Sequence, residues 1–214
     1  MSWGRDHSAP LSLLCIGAHS DDIEIGCGGT VLRLLAERPG SMVRWVVLSA
    51  DGEREREART SAEAFLADAK VGELEICRFR ESYFPYIGTE IKDYFNELRQ
   101  RVEPDLVLCH HRLDEHQDHR LVGQLVWNTF RNHVVLEYEI PKYDGNAFSP
   151  NFYVPVNQAT ARKKVKGITS AFVSQADKGW FTADTFMATL RLRGVECASP
   201  TKFAEAFVCR KVVL

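Results

Sequence analysis

A chain of 214 residues is long enough to bury a sizeable core, and 45% hydrophobic with 26% charged residues is the balance of an ordinary globular protein. A formal charge of −2 argues against a nucleic-acid binder, and no apolar run approaches the roughly 20 residues of a membrane span. The polar start MSWGRDHSAP lacks the apolar stretch of a secretory signal, and the six scattered cysteines form no C-x-x-C pair, so a cytoplasmic protein with reduced thiols is expected.

The first apolar run, Leu11–Ala18, is continuous and suits a strand buried on both faces. Gly28 and Gly29 follow a short loop, and TVLRLLAE then carries helical spacing. Met42–Leu48 reads as a second strand. Glu53–Lys70 reads as a charged helix with Ala58, Ala62, Phe65 and Leu66 on one stripe, and Leu74–Phe79 as a third strand. Ile91–Val102 predicts a helix closed by Pro104, and Leu106–Cys109 another buried strand. Helix 119–131 and strand Val134–Glu139 continue the alternation. Lys142–Pro155, with its Gly, Asn, Asp and Pro, predicts a loop. Residues 158–174 and 183–193 read as helices and Phe207–Val213 as a last strand. Alternating strands and helices imply βαβ units, so the expected architecture is α/β, three layers around a mostly parallel sheet. No repeat or linker interrupts it, and one domain over residues 1–214 is the economical reading.

In open α/β sheets, ligands bind beyond the carboxyl ends of the strands. Two polar clusters fall there. One is His19-Ser20-Asp21-Asp22, after the first strand. The other is His110-His111-Arg112-Leu113-Asp114-Glu115-His116-Gln117-Asp118-His119, after the LVLC strand, holding four of the chain's seven histidines. Adjacent carboxylates in a cleft raise each other's pKa, which a cation would relieve, although Asp21 or Asp22 could instead cap the following helix. His116 and His119 share a helix face at i, i+3, and Asp118 could orient a ring; a solvated polar loop is the plain alternative. Together the clusters supply the His and Asp side chains of a catalytic zinc site with one position left for water: His19, Asp22 and a histidine of the second cluster, with Asp21 as a spare base.

AHSDDIEIGCGG resembles the AHPDD-type signature of the LmbE-like, or PIG-L-like, zinc N-deacetylases, and HQDHR at 116–120 resembles that family's H-x-D-H motif. Weaker similarity extends to SADGE with Arg59 and Glu63, and to Arg193-Gly194 and Glu205-Ala206-Phe207 near the end; Ser20 replaces the usual Pro. The resemblance implies an LmbE-like, Rossmann-like α/β/α fold. It implies His19, Asp22 and His119 as zinc ligands, with another divalent ion left open, and Asp21 as general base. His116 becomes a cationic oxyanion stabiliser whose ring Asp118 holds. Arg59 and Asp114 become candidate substrate contacts, although Arg59 could equally pair with Glu55 or Glu63 on an exposed helix. The reaction implied is removal of acetyl from an N-acetylglucosamine-type sugar or glycoconjugate, a small-molecule substrate, with no nucleic acid or membrane span involved and a homo-oligomer left open.

Three other readings compete: a zinc amidase of a thiol conjugate or secondary-metabolite amide, a dinucleotide binder using Gly26, Gly28 and Gly29, and a non-catalytic metal-binding module. The glycines lack the full G-x-G-x-x-G spacing and follow acids that would repel a pyrophosphate. Glu137–Gly145 has aromatics and carboxylates suited to a sugar, or to a packed loop. Lys163-Lys164-Val165-Lys166 reads as a solvated helix face, and the tryptophans as packing.

Overall fold

The structure is a computed structural model that describes residues 9–143 and 148–212. Trp3, the end of the 137–145 segment and Val213 lie outside the described residues. Seven strands form one sheet in the order β3-β2-β1-β4-β5-β7-β6: β1 (Ser12–Gly17), β2 (Met42–Val47), β3 (Val71–Ile76), β4 (Leu106–His110), β5 (Val134–Tyr138), β6 (Phe152–Val156) and β7 (Phe203–Cys209). β1 to β5 run parallel and β7 runs antiparallel to both its neighbours. This is the expected α/β, mostly parallel fold. Helices α1 (Asp22–Glu37), α2 (Gly52–Phe65), α5 (Gln158–Ala171) and α6 (Ala183–Glu196) cover one face with Trp45, Phe65 and Phe186; α3 (Gly88–Arg101) and α4 (Gln117–Thr129) cover the other with Phe95, Val126 and Phe130. Among the described residues no helix is long and apolar enough to cross a membrane.

Three elements depart from the sequence reading. β6 lies in the stretch expected to be loop; Pro155 hides it, but an edge strand tolerates a proline. β3 starts earlier than expected because, at the other edge, its polar residues face solvent. Helix α1 begins at Asp22, so the glycines stand inside it rather than before it. The reason is close approach. A side chain at Gly26 would overlap the Tyr138 ring, and at Gly28 a Cβ would lie 2.6 Å from Phe65. The Tyr138 hydroxyl donates to the Ile16 carbonyl (2.7 Å), so its ring cannot withdraw. These glycines are consumed by packing, which removes the basis of the dinucleotide reading.

Lys164 is buried, contrary to the solvated face expected for it. Its Nζ donates to Glu205 (2.5 Å) and to the Ile25 carbonyl (2.6 Å), while Glu205 accepts from the Gly29 (2.8 Å) and Thr30 (2.6 Å) amides. Ile25 and Gly29 are the i and i+4 partners of one α-helical hydrogen bond, so the ion pair clasps both its ends. Lys164→Ala would leave the Glu205 charge buried and uncompensated. We expect a loss of about 3–5 kcal/mol, read as a lower denaturation midpoint. Arg193 is likewise structural: its guanidinium pairs with Glu139 (2.7 Å) and Glu196 (2.6 Å). The similarity at 193–194 and 205–207 therefore marks packing.

Candidate active site

β1 and β4 are neighbours in the sheet, yet α1 leaves β1 toward one face and α4 leaves β4 toward the other. That reversal opens a crevice at their carboxyl ends. Into it project His19, Ser20 and Asp21 from the β1–α1 turn, and Asp114, His116, Asp118 and His119 from the β4–α4 loop and first turn of α4. Residues a hundred positions apart thereby meet: His19 Nδ1 lies 3.2 Å from His119 Nε2, and Asp22 oxygens lie 3.5 Å from each of those nitrogens.

The outer nitrogens of both rings face carboxylates. His19 Nε2 is 3.0 Å from Asp118 Oδ2, and His119 Nδ1 is 3.2 Å from Asp114 Oδ2. A ring that donates outward presents a lone pair inward, so two lone pairs and a carboxylate converge on one point. Ligand atoms about 2.0–2.2 Å from a tetrahedral ion stand roughly 3.3–3.5 Å apart, which is the spacing seen here. His19, Asp22 and His119 therefore could hold a metal ion, and their donor chemistry fits one.

Two overlapping sets also bring ligand atoms within 4.8 Å, His19/His116/His119 and Asp22/His110/His119. Hydrogen bonding disfavours both. His110 Nε2 already accepts the Ala18 amide (3.0 Å), and His116 Nδ1 accepts the Asp118 amide (3.2 Å) as the cap of α4, which leaves Nε2–H as a donor.

Charge follows the geometry. Burial opposes protonation of His19, but Asp118 and Asp22 outweigh it and push the imidazole up to about 10, so a proton serves where an ion would. Burial and His110 push His119 down to about 3. Burial disfavours the Asp22 anion, but His119 and His110 hold it well below the usual carboxylate range. Burial, reinforced by Asp22 and opposed by Arg54, raises Asp21 to about 6. Burial and the nearby His19 lower His116, which points to a neutral ring rather than the cation expected from sequence.

Asp118 takes a different partner from the one expected. Its carboxylate holds His19, not His116, and is itself fixed by the Ser82 (2.6 Å) and Phe84 (3.2 Å) amides. Ser82 has φ +65°, a left-handed conformation accepted where the loop after β3 turns to reach Asp118. Asp114 is fully buried, bonded to His119, Lys142 (2.8 Å) and the His116 amide (2.7 Å), so it orients a ring instead of meeting substrate. Arg59 is exposed and paired with Glu55 (2.8 Å), away from the crevice. The arginine that arrives is Arg54, five residues earlier, 3.1 Å from Ser20 Oγ and 3.6 Å from Asp21. Nothing in the run GEREREAR distinguishes it beforehand except its place in the first turn of α2.

The profile of the PIG-L family, GlcNAc-PI de-N-acetylase, matches residues 14–130. Three solved structures share the fold. The conserved protein TT1542 of Thermus thermophilus is 22% identical, with TM-score 0.75, covering 95% of this chain and 96% of that one. The N,N′-diacetylchitobiose deacetylase of Pyrococcus horikoshii is 21% identical, with TM-score 0.69, covering 93% and 83%. The 4-carboxy-2-hydroxymuconate hydratase GalB of Pseudomonas putida is 18% identical, with TM-score 0.76, covering 95% and 98%. The family match takes in β1 through α4, hence both clusters that build the crevice, and the chain belongs to the PIG-L family of hydrolytic N-deacetylases that act on amide bonds.

Proposed function

We propose that the protein is a zinc-dependent N-deacetylase of an N-acetylglucosamine-type sugar or glycoconjugate. The observation that carries this reading is that two ring nitrogens, His19 Nδ1 and His119 Nε2, stand 3.2 Å apart with the Asp22 carboxylate beside them. His19, Asp22 and His119 would hold the ion. When bound, zinc supplies an acidified water, its pKa lowered from about 16 towards ~7, and polarises the amide carbonyl.

The chain's own groups do the rest. Asp21, free of the ligand set, takes the proton from the attacking water. His116 Nε2–H donates to the acetamide oxygen as that oxygen gains negative charge. The C–N bond breaks, acetate forms, and the amine leaves with the proton that Asp21 received. Arg54 favours the ionised form of Asp21, and Asp118 and Asp114 keep the His19 and His119 rings aimed inward. The amino-sugar class rests on the family description and on the chitobiose deacetylase likeness.

Acetate release from a panel of N-acetylglucosamine derivatives tests the reading. A chelator should abolish turnover and zinc should restore it. A protein that releases no acetate from the panel but hydrates an unsaturated hydroxy acid, as the GalB likeness would suggest, overturns it.

A further inference from the structure

Glu137 and Tyr138 are successive residues of β5, so their side chains leave opposite faces of the sheet. Tyr138 fills the space beside Gly26 of α1, and Glu137 points toward the face covered by α4. There it is 1% exposed and meets two guanidinium groups. Its Oε1 accepts from Arg210 Nε (2.9 Å) and stands 3.5 Å from Arg112 Nε, and its Oε2 accepts the Arg112 amide (3.2 Å). Arg112 lies 4.5 Å over the ring of Trp127, eight residues beyond His119 and so about 12 Å further along α4. The reaction described above uses none of these groups.

The charges of this cluster do not balance. Two guanidinium groups share one carboxylate, and Asp114, the next acid along the loop from Arg112, is committed to His119 and Lys142. Burial lowers the pKa of Arg112; Glu137 opposes that and the like charge of Arg210 adds to it. Burial also lowers His111, whose Nε2 lies 3.8 Å from Glu137, so the ring is neutral at pH 7 and the surplus is one positive charge. Both arginines meet Glu137 through Nε, and their terminal nitrogens have no hydrogen-bond partner among the described residues. Stacking on Trp127 fixes the plane of Arg112 while leaving its N–H donors available in that plane. With side-chain exposures of 23% and 28%, the two forks reach the surface yet are only partly in water.

We infer that Arg112 and Arg210 form a binding site for a phosphate-type oxyanion on the α4 face, separate from the catalytic crevice. Two forks held on either side of one carboxylate can close together on one anion. Phosphate suits them better than a carboxylate, because it carries more charge to answer the surplus and three acceptor oxygens for the free donors. Glu137 has two opposed effects: its bonds hold the forks in place, and its charge repels the incoming anion. The inference stands apart from the deacetylase reading and concerns no part of the acetylated substrate.

Titration calorimetry of the full chain with inorganic phosphate, glycerol 3-phosphate and acetate tests the site. Phosphate should bind wild type, and more weakly as sodium chloride is added. Glu137→Gln keeps the size of the side chain and removes its repulsion, so phosphate should bind at least about tenfold tighter than to wild type. That gain requires a folded protein. Adding Arg112→Gln or Arg210→Gln to Glu137→Gln removes one fork without leaving a buried carboxylate unpaired, and should weaken binding by at least about tenfold. His119→Ala, which alters the crevice alone, should leave the binding in place. Binding of both phosphate compounds supports a phosphorylated metabolite as the occupant, and binding of phosphate alone supports the free ion. Four results overturn the inference: no phosphate bound by wild type or Glu137→Gln, affinity indifferent to both arginines, acetate bound as tightly as phosphate, or binding lost in His119→Ala.

Discussion

Under the proposed function, Asp21→Asn is expected to take up metal as the wild type does and to lose turnover by about 10²–10⁴-fold, the range that general base catalysis contributes. The substitution preserves size and removes only proton affinity, and Asp21 lies outside the His19, Asp22, His119 set, so metal content at stoichiometry is the internal control. The pH profile gives a second reading. Burial and Asp22 raise the carboxyl to about 6, and a cation bound alongside would draw it lower. The base works ionised, so kcat/KM should climb with pH through a limb at or below about 6 and flatten above it. Near-wild-type kcat in the variant, or a limb well above neutrality that persists in it, removes Asp21 from this role.

His119→Ala should abolish metal binding and activity together. Losing an outer-shell partner of a metal ligand typically costs about 10–100-fold in affinity, and losing a ligand costs more. The structure ranks the series: Asp114→Asn and Asp118→Asn, which only loosen the His119 and His19 rings, should fall in that intermediate range. Zinc affinity by competition with a chromophoric chelator measures all three. If His119→Ala bound zinc as tightly as Asp118→Asn, the ion would sit elsewhere in the histidine cluster.

Much of this was legible in the sequence because strand and helix periods are local. LSLLCIG and LVLC announce buried parallel strands, and the polar clusters directly after them fall at a sheet's carboxyl edge wherever the fold is doubly wound. What escaped depends on partners distant in sequence. Lys164 looks solvated until Glu205 and the Ile25 carbonyl come to meet it. Gly26 and Gly28 look like the glycines of a dinucleotide binder until Tyr138 and Phe65 occupy the space their side chains would need. Asp118 looks placed to serve His116, its near neighbour, yet the first turn of α4 aims it across the crevice at His19. Arg54 and Arg59 have the same composition around them, and only the start of α2 at Gly52 decides which one reaches the crevice.

The Lys164–Glu205 clasp has a consequence for the order in which the protein is made. The helix whose start presents Asp21 and Asp22 is fastened about two turns further on, at Gly29, by a residue 176 positions downstream. During synthesis, a nascent chain still holding its seventh strand in the ribosomal tunnel has β1, β4 and every histidine of the crevice in the open, yet lacks that fastening. On the proposed function, metal capture should therefore be a late event, coming after release of β7 rather than when His119 emerges, and a stalled chain ending before Glu205 should take up the ion weakly.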